Sequence, residues 1–347
     1  MTAAFAIPGD IATLTGGYIY ERRLLEGLRA LGRDVAHIVL GDTFPHPTAA
    51  HMADAAAQLA ALPPSRALIL DGLVFGSIET AALARVRAPV VAMLHHPLAL
   101  ENGLSPSARG HLYRTERDNL TLAAHVLVTS PHTAAQLTAD YGVAPDRITV
   151  ARPGTDRPTL APAPKTPPLI LSVGIQHPRK GHDIFLRALS LLPKEGWEAV
   201  IVGSPYEPTH AAELGALHTA LGLGECVQLA GRVSADTLAQ LYAQASIFAL
   251  ATRYEGYGIV FDEAIANGLP IVTCRTGAVP ETVPQDAGLL VPPEDPPAFA
   301  AALSTLLSDP ARRAAMASAA REAAATLPSW RDTAHIAANV LDRVATG

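Results

Sequence analysis

Short apolar runs of β-forming residues alternate with longer Ala- and Leu-rich stretches along nearly the whole chain, and that rhythm breaks only once. Before the break the strand candidates are Ala4–Ile7, Val35–Leu40, Ala67–Leu70, Val90–Leu94, His125–Thr129 and Ile148–Ala151. Helices are expected between them over Tyr18–Leu31, Met52–Leu62, Ile78–Arg85 and Pro131–Tyr141. The break is Arg157–Pro168, whose five prolines cannot sustain a helix or a central strand and which reads as a semi-rigid linker. The alternation then resumes with strands Leu169–Val173, Ala199–Val202, Val227–Leu229, Ile247–Leu250, Ile271–Thr273 and Gly288–Val291. Helices are expected at His182–Leu192, Ala211–Leu221, Ala235–Gln244 and Ile259–Ala266. Ser130-Pro131, Asp295-Pro296 and Asp309-Pro310 are start signals: the first side chain can cap free amides, and proline at the first helical position loses no bond. Such alternation builds parallel sheets covered on both faces, with ligands bound beyond the carboxyl ends of the strands.

The totals agree with two such domains. A length of 347 residues suggests about two domains, and 49% apolar residues is enough to fill two cores. No apolar run reaches the roughly 18 residues needed to span a bilayer, and the start, Met1–Asp10, turns polar too soon for a signal peptide. Cys226 and Cys274 are the only cysteines, so no disulfide framework or thiolate metal site is implied, and a cytoplasmic location is expected. A net charge of −6 argues against bulk electrostatic binding of nucleic acid. It leaves room for a local peripheral contact at the inner face of a membrane.

The richest segment for chemistry is Arg253–Glu281. It carries Glu255-Gly256-Tyr257-Gly258-Ile259, then Glu263 inside a helix, then Gly268-Leu269-Pro270, then Gly277-Ala278-Val279-Pro280-Glu281. A loop carboxylate such as Glu255 can reach sugar hydroxyls. Freed amides at the helix start can hold a pyrophosphate, and Glu263 can accept from ribose hydroxyls. Earlier in the chain, Thr15-Gly16-Gly17-Tyr18 follows the first strand and opens the first helix, where paired glycines let backbone approach a phosphate. No Gly-x-Gly-x-x-Gly fingerprint is present. His95 and His96 end the strand Val90–Leu94; adjacent histidines diverge, and no third ligand sits at metal spacing. Arg109, His111, Arg114 and Arg117 on one helix, and Arg22 and Arg23 on another, read as solvated faces, with an anionic acceptor or lipid headgroup as the alternative.

These motifs, in this order, resemble the retaining glycosyltransferases of family 4, strongest from about Leu169 to Val291. The resemblance implies the GT-B architecture, α/β, with two Rossmann-like domains whose parallel sheets face across an interdomain cleft. Residues 1–156 would form the acceptor-binding domain, 157–168 the linker and 169–328 the nucleotide-sugar domain. Residues 329–347 would be a helix crossing back, with Trp330 packing near the crossing. It further implies that His95 lies over the reactive end of the sugar, with His96 the fallback, that Glu255 touches sugar hydroxyls, and that Glu263 takes the ribose. The backbone of Gly256, Tyr257, Gly258 and Ile259 would lie against the diphosphate, with Gly16 and Gly17 facing donor and acceptor. Lys180 matches the family's phosphate-clamp lysine. Ile175 stands where the family usually has arginine, with Arg179 as a possible substitute.

The implied reaction moves a sugar from a UDP-sugar or GDP-mannose to an acceptor hydroxyl with retention, by front-face substitution. The acceptor would be a glycan, a lipid-linked sugar or a small polyol, in glycolipid, lipopolysaccharide or exopolysaccharide synthesis. No Asp-x-Asp motif occurs, so neither metal nor other cofactor is expected. The rivals are a nucleotide-sugar epimerase, a phosphorylase, and a catalytically silent nucleotide-binding scaffold.

Overall fold

A computed structural model of the chain describes residues 2–101 and 103–346. It divides into two compact units, Met1–Gly154 with Pro328–Gly347, and Thr155–Leu327. Each is built on a six-stranded, wholly parallel sheet.

In the first unit the strands are β1 (Thr2–Pro8), β2 (Asp34–Leu40), β3 (Ala67–Asp71), β4 (Val90–Leu94), β5 (His125–Val128) and β6 (Ile148–Val150), in the order β2-β1-β3-β4-β5-β6. β3 and β4 are buried along their whole length, as continuous apolar strands covered on both faces must be. The helix Trp330–Thr346 packs on the helix Gly16–Ala30. Arg33 grips Asp342 with both guanidinium arms at 2.5 Å, and the Thr333 hydroxyl donates to the Arg152 carbonyl at 2.7 Å. Trp330 lies 6.0 Å from the buried ring of Tyr20, with the Arg23 guanidinium 5.8 Å from its face. Arg23 is therefore stacked, not simply solvated.

One expected helix is shorter than read: of Ile78–Arg85 only Thr80–Leu83 is helical. A short helix that was not expected, Gly72–Phe75, precedes it, because the Asp71 carboxylate accepts from the amides of Leu73 (2.9 Å) and Val74 (3.4 Å) and starts a turn as soon as β3 ends.

In the second unit the strands are β7 (Leu169–Val173), β8 (Glu198–Val202), β9 (Val227–Gly231), β10 (Ala245–Leu250), β11 (Ile271–Cys274) and β12 (Gly288–Val291), in the order β12-β11-β10-β7-β8-β9. Phe185 and Phe299 pack edge to face on one side of the sheet, and Phe248 and Phe261 on the other, all fully buried. The expected caps form: Ser130, Asp295 and Asp309 accept from the amides of Thr133, Ala298 and Arg312. Among the described residues no helix is long and apolar enough to cross a membrane.

Both sheets reverse their winding direction once. In the first the switch lies between β1 and β3, in the second between β10 and β7. Loops leaving neighbouring strands at such a point diverge and open a crevice at the carboxyl edge. The candidate residues fall there in both units.

Candidate functional site

In the second unit the loops after β7 and β10 are stitched together. The amide of Arg253 donates to the Arg179 carbonyl at 2.8 Å, and Thr252 Oγ1 lies 3.1 Å from the same oxygen. Arg253 reinforces the join by gripping Asp183 at 2.9 Å through both arms and by reaching Glu294. Gly181 is obligatory here: its φ is +63°, and a Cβ would lie 1.9 Å from the Ala251 carbonyl oxygen.

That stitching brings three predicted site residues into one ion cluster. Lys180 Nζ donates to Glu255 Oε1 at 2.7 Å, Arg179 Nη1 reaches Glu255 Oε2 at 3.4 Å, and the Thr252 hydroxyl donates to Oε1 at 3.0 Å. Glu255 is 4% exposed. Burial pushes its carboxyl up, but Lys180 and Arg179 outweigh that and hold it below its ordinary value. Two cations around one anion leave a net positive charge. The Arg179 Nε–H is buried with no partner. The sequence placed Glu255 on the sugar and Lys180 on the phosphate as separate tasks; the structure shows them paired.

The glycine motifs around Glu255 have structural causes. Gly277, at φ +51°, packs so closely that a Cβ would lie 2.3 Å from the Glu255 carbonyl oxygen, and the Ala278 amide donates to that oxygen at 2.9 Å. Gly258 caps the helix Ile259–Ala266 from the left-handed region. At the other end Gly268 and Leu269 donate to the carbonyls of Ile265 and Ala264, the paired closure that lets Gly268-Leu269-Pro270 lead straight into β11. Glu263, on this helix, accepts at Oε2 from the Tyr242 hydroxyl at 2.8 Å, and burial raises its carboxyl.

His182, not singled out in the sequence, is fully buried and its Nε2 bonds the Gly174 carbonyl at 3.0 Å, fixing the start of the Lys180 loop. Burial drives its pKa down to about 4. Ile175, at the position of the expected arginine, offers no charge; Arg179, further along the same loop, pairs with Glu255.

In the first unit His95 follows β4, Asp71 ends β3, and Gly16 and Gly17 open the helix after β1. A Cβ on Gly17 would lie 3.3 Å from His95 Nε2, so the glycine loop and the histidine are in contact. His96 points elsewhere, onto Glu101 at 2.6 Å. Arg109 donates to the Ala99 carbonyl at 2.6 Å and braces the loop after His96, while Arg117 bonds Asp118; His111 and Arg114 are exposed. A cavity of about 510 Å³ lined by Asp10, His37, Asp42 and His51 opens beside the ends of β1 and β2.

The sequence offered His95 no third ligand at metal spacing; the structure brings two carboxylates to it from other elements. Glu21, Asp71 and His95 each place a ligand atom within 4.8 Å of the others, a group able to hold a metal ion. The three come from different elements, so linear spacing could not show it. Glu21 and Asp71 are within hydrogen-bond reach of each other, and burial raises both, Glu21 to about 7.

Residues 160–323 match the family described as glycosyl transferases group 1, and residues 68–157 match glycosyltransferase family 4. A D-inositol 3-phosphate glycosyltransferase 2 of Catenulispora acidiphila is 30% identical over 298 residues, covering 77% of this chain and 68% of that protein. The chain belongs to the family 4 glycosyltransferases. A D-inositol 3-phosphate glycosyltransferase of Xylanimonas cellulosilytica is 33% identical over 266 residues, 70% of this chain, and the match spans only 63% of that relative's length. Among solved structures, Anabaena HepE in complex with UDP-glucose superposes with a TM-score of 0.78 at 19% identity, over 99% of this chain and all of that one. That likeness shows the GT-B fold.

Proposed function

We propose that this chain is a retaining glycosyltransferase that takes a sugar from a nucleoside-diphosphate sugar and gives it to an acceptor hydroxyl. The observation that carries the proposal is the Lys180–Glu255–Arg179 cluster, a buried carboxylate between two part-buried cations, set where the second sheet reverses direction. Its excess positive charge suits a departing diphosphate, on which negative charge grows as the glycosidic bond breaks. Preorganised donors of this kind act mainly on the transition state. Glu255 holds the cations in place, the unpartnered Arg179 Nε–H is a donor awaiting an acceptor, and the backbone of Gly256–Ile259 supplies amides at a helix start.

Glu263, with one oxygen taken by Tyr242, offers the other to the ribose hydroxyls. In the first unit, the adjoining His95 and Gly16-Gly17 are the groups offered to a sugar. The UDP-glucose held by HepE and the family membership support a nucleotide-sugar donor, with UDP- and GDP-sugars as the classes to test. The acceptor is a glycan, a lipid-linked sugar or a small polyol, and no metal is invoked.

Thermal unfolding with UDP, GDP, ADP and their sugar conjugates tests the donor site. Ligand at about 100 times its Kd adds roughly 2.7 kcal/mol of apparent stability. One nucleotide class should shift the transition, and Glu263→Ala should abolish most of that shift. In the matching turnover assay Lys180→Ala should lower kcat/KM by roughly 10²-fold or more. No shift with any nucleotide would refute the proposal.

A further inference from the structure

Glu21 and Asp71 are 1% and 3% exposed, and the charges that act on them are each other and His95. No lysine or arginine compensates them, as Lys180 and Arg179 compensate Glu255. Two carboxylates in contact at such a site cannot both stay ionised, and a hydrogen bond between two carboxyl groups requires a proton between them. The pair therefore keeps at least one proton at neutral pH and bears a net negative charge above about pH 7, where Glu21 ionises. Asp71 is fixed by the amides of Leu73 and Val74, so the pair is anchored to the end of β3.

That charge faces one edge of His95. Glu21 Oε1 lies 3.7 Å from His95 Nε2, and both atoms are buried without any other partner. The distance is long for a hydrogen bond, yet short enough for the charge to decide which ring nitrogen keeps its proton; such contacts often tighten when substrate binds. The Tyr20 ring stands edge-on to the imidazole at 5.4 Å with its hydroxyl spent on the Ala151 carbonyl, and the Thr133 hydroxyl takes the His95 carbonyl, so neither competes for the ring nitrogens. The quarter of the His95 side chain that is exposed excludes Nε2.

We propose that Glu21 and Asp71 form a proton-sharing positioning pair for His95, holding its proton on Nε2 so that Nδ1 presents a lone pair to a hydroxyl of the bound sugar. Neither carboxyl touches substrate. The pair acts through the histidine, much as a carboxylate orients a metal-bound or catalytic imidazole by fixing its tautomer. This rests on the proposed glycosyl transfer for its purpose, but its structural content does not.

The test uses the full chain labelled with ¹⁵N-histidine, the His95 signals being assigned by their loss in His95→Gln. Neutral, Nε2-protonated His95 is expected at about pH 8, above the value of about 7 to which burial raises Glu21. Glu21→Gln/Asp71→Asn, which removes the charge with little change of shape, should release His95 into a mixture of tautomers. Its kcat should fall by roughly 10–100-fold, the scale on which partners that orient a histidine act. Donor-induced stabilisation, which reads the second unit, should survive.

Thermal unfolding of the double variant separates this from misfolding, and Glu21→Gln alone supplies a milder case. A wild-type His95 protonated on Nδ1, or a spectrum indifferent to the double substitution, would overturn the proposal. So would one equivalent of divalent metal in the purified protein that is lost in Glu21→Gln, since the cluster would then be a metal site. The expected tautomer in a protein that transfers no sugar would leave the pair standing and defeat the proposed activity instead.

Discussion

Lys180→Ala should destabilise the second unit as well as impair its chemistry, and the structure sets the scale. Lys180 Nζ sits 2.7 Å from Glu255 Oε1, with the two side chains 12% and 5% exposed. At an effective dielectric of about 20 the direct attraction is about 6 kcal/mol, before the cost of desolvating both groups is subtracted. Breaking a buried pair by deleting one member typically costs about 3–5 kcal/mol, because the other charge is stranded. Glu255 keeps Arg179 at 3.4 Å and the Thr252 hydroxyl at 3.0 Å, so the low end, about 3 kcal/mol, is expected. In a domain of about 150–250 residues that lowers Tm by roughly 6–12 °C. Glu255→Gln should cost about 2 kcal/mol by leaving the two cations facing a neutral amide. The double variant should cost less than the sum, with a coupling of about 2 kcal/mol. Thermal and urea unfolding of all four proteins, without nucleotide, complete the cycle. Strict additivity, or a lysine variant as stable as wild type, would show that Lys180 and Glu255 are not paired in solution.

His182 and Glu116 should give stability opposite dependences on pH. His182 falls from 6.5 to about 4 on folding, mainly through burial, so the unfolded chain binds the extra proton between those values. Stability is present above about pH 6.5 and is lost as pH falls toward 4, by about 3 kcal/mol; urea unfolding across that window should show a shallower slope in His182→Gln. Glu116, buried beneath the Leu98 amide, rises from 4.5 to about 8, again mainly by burial. Its contribution is complete below about pH 4.5 and is lost as pH rises through 8, so Glu116→Gln should flatten the alkaline limb of the first unit's unfolding curve. Gly277→Ala should cost about 2–4 kcal/mol, since a Cβ at φ +51° would press into the Glu255 backbone, and should also weaken nucleotide-induced stabilisation. A variant that unfolds normally and binds normally would show that this close approach does not support the site.

The fold was legible because burial on both faces writes parallel strands as continuous apolar runs; β3 and β4 could be read almost to the residue. The helix over Ile78–Arg85 was read too long, and the short helix Gly72–Phe75 was missed because one aspartate after a strand can start a turn without any helical periodicity, as Asp71 does. The same residue shows why the site was only half legible. Glu255, Glu263 and Lys180 stand in motifs whose glycines mark close backbone approaches, and such approaches leave a local signature. Partnerships do not. Nothing in the linear order says that Lys180 meets Glu255 rather than a ligand, or that Arg179 joins the same carboxylate, because those contacts depend on loops from β7 and β10 meeting at the reversal of the sheet. Glu21 left still less trace, being a charged residue on an otherwise ordinary helix whose meaning comes only from the ends of β3 and β4 beside it. The two units thus solve the burial of carboxylates in opposite ways. The second surrounds Glu255 with cations and keeps it ionised, while the first gives Glu21 and Asp71 no cation and makes them share a proton. A substituted lysine should therefore disturb charge in the second unit, whereas a substituted carboxyl in the first should disturb the placement of a proton.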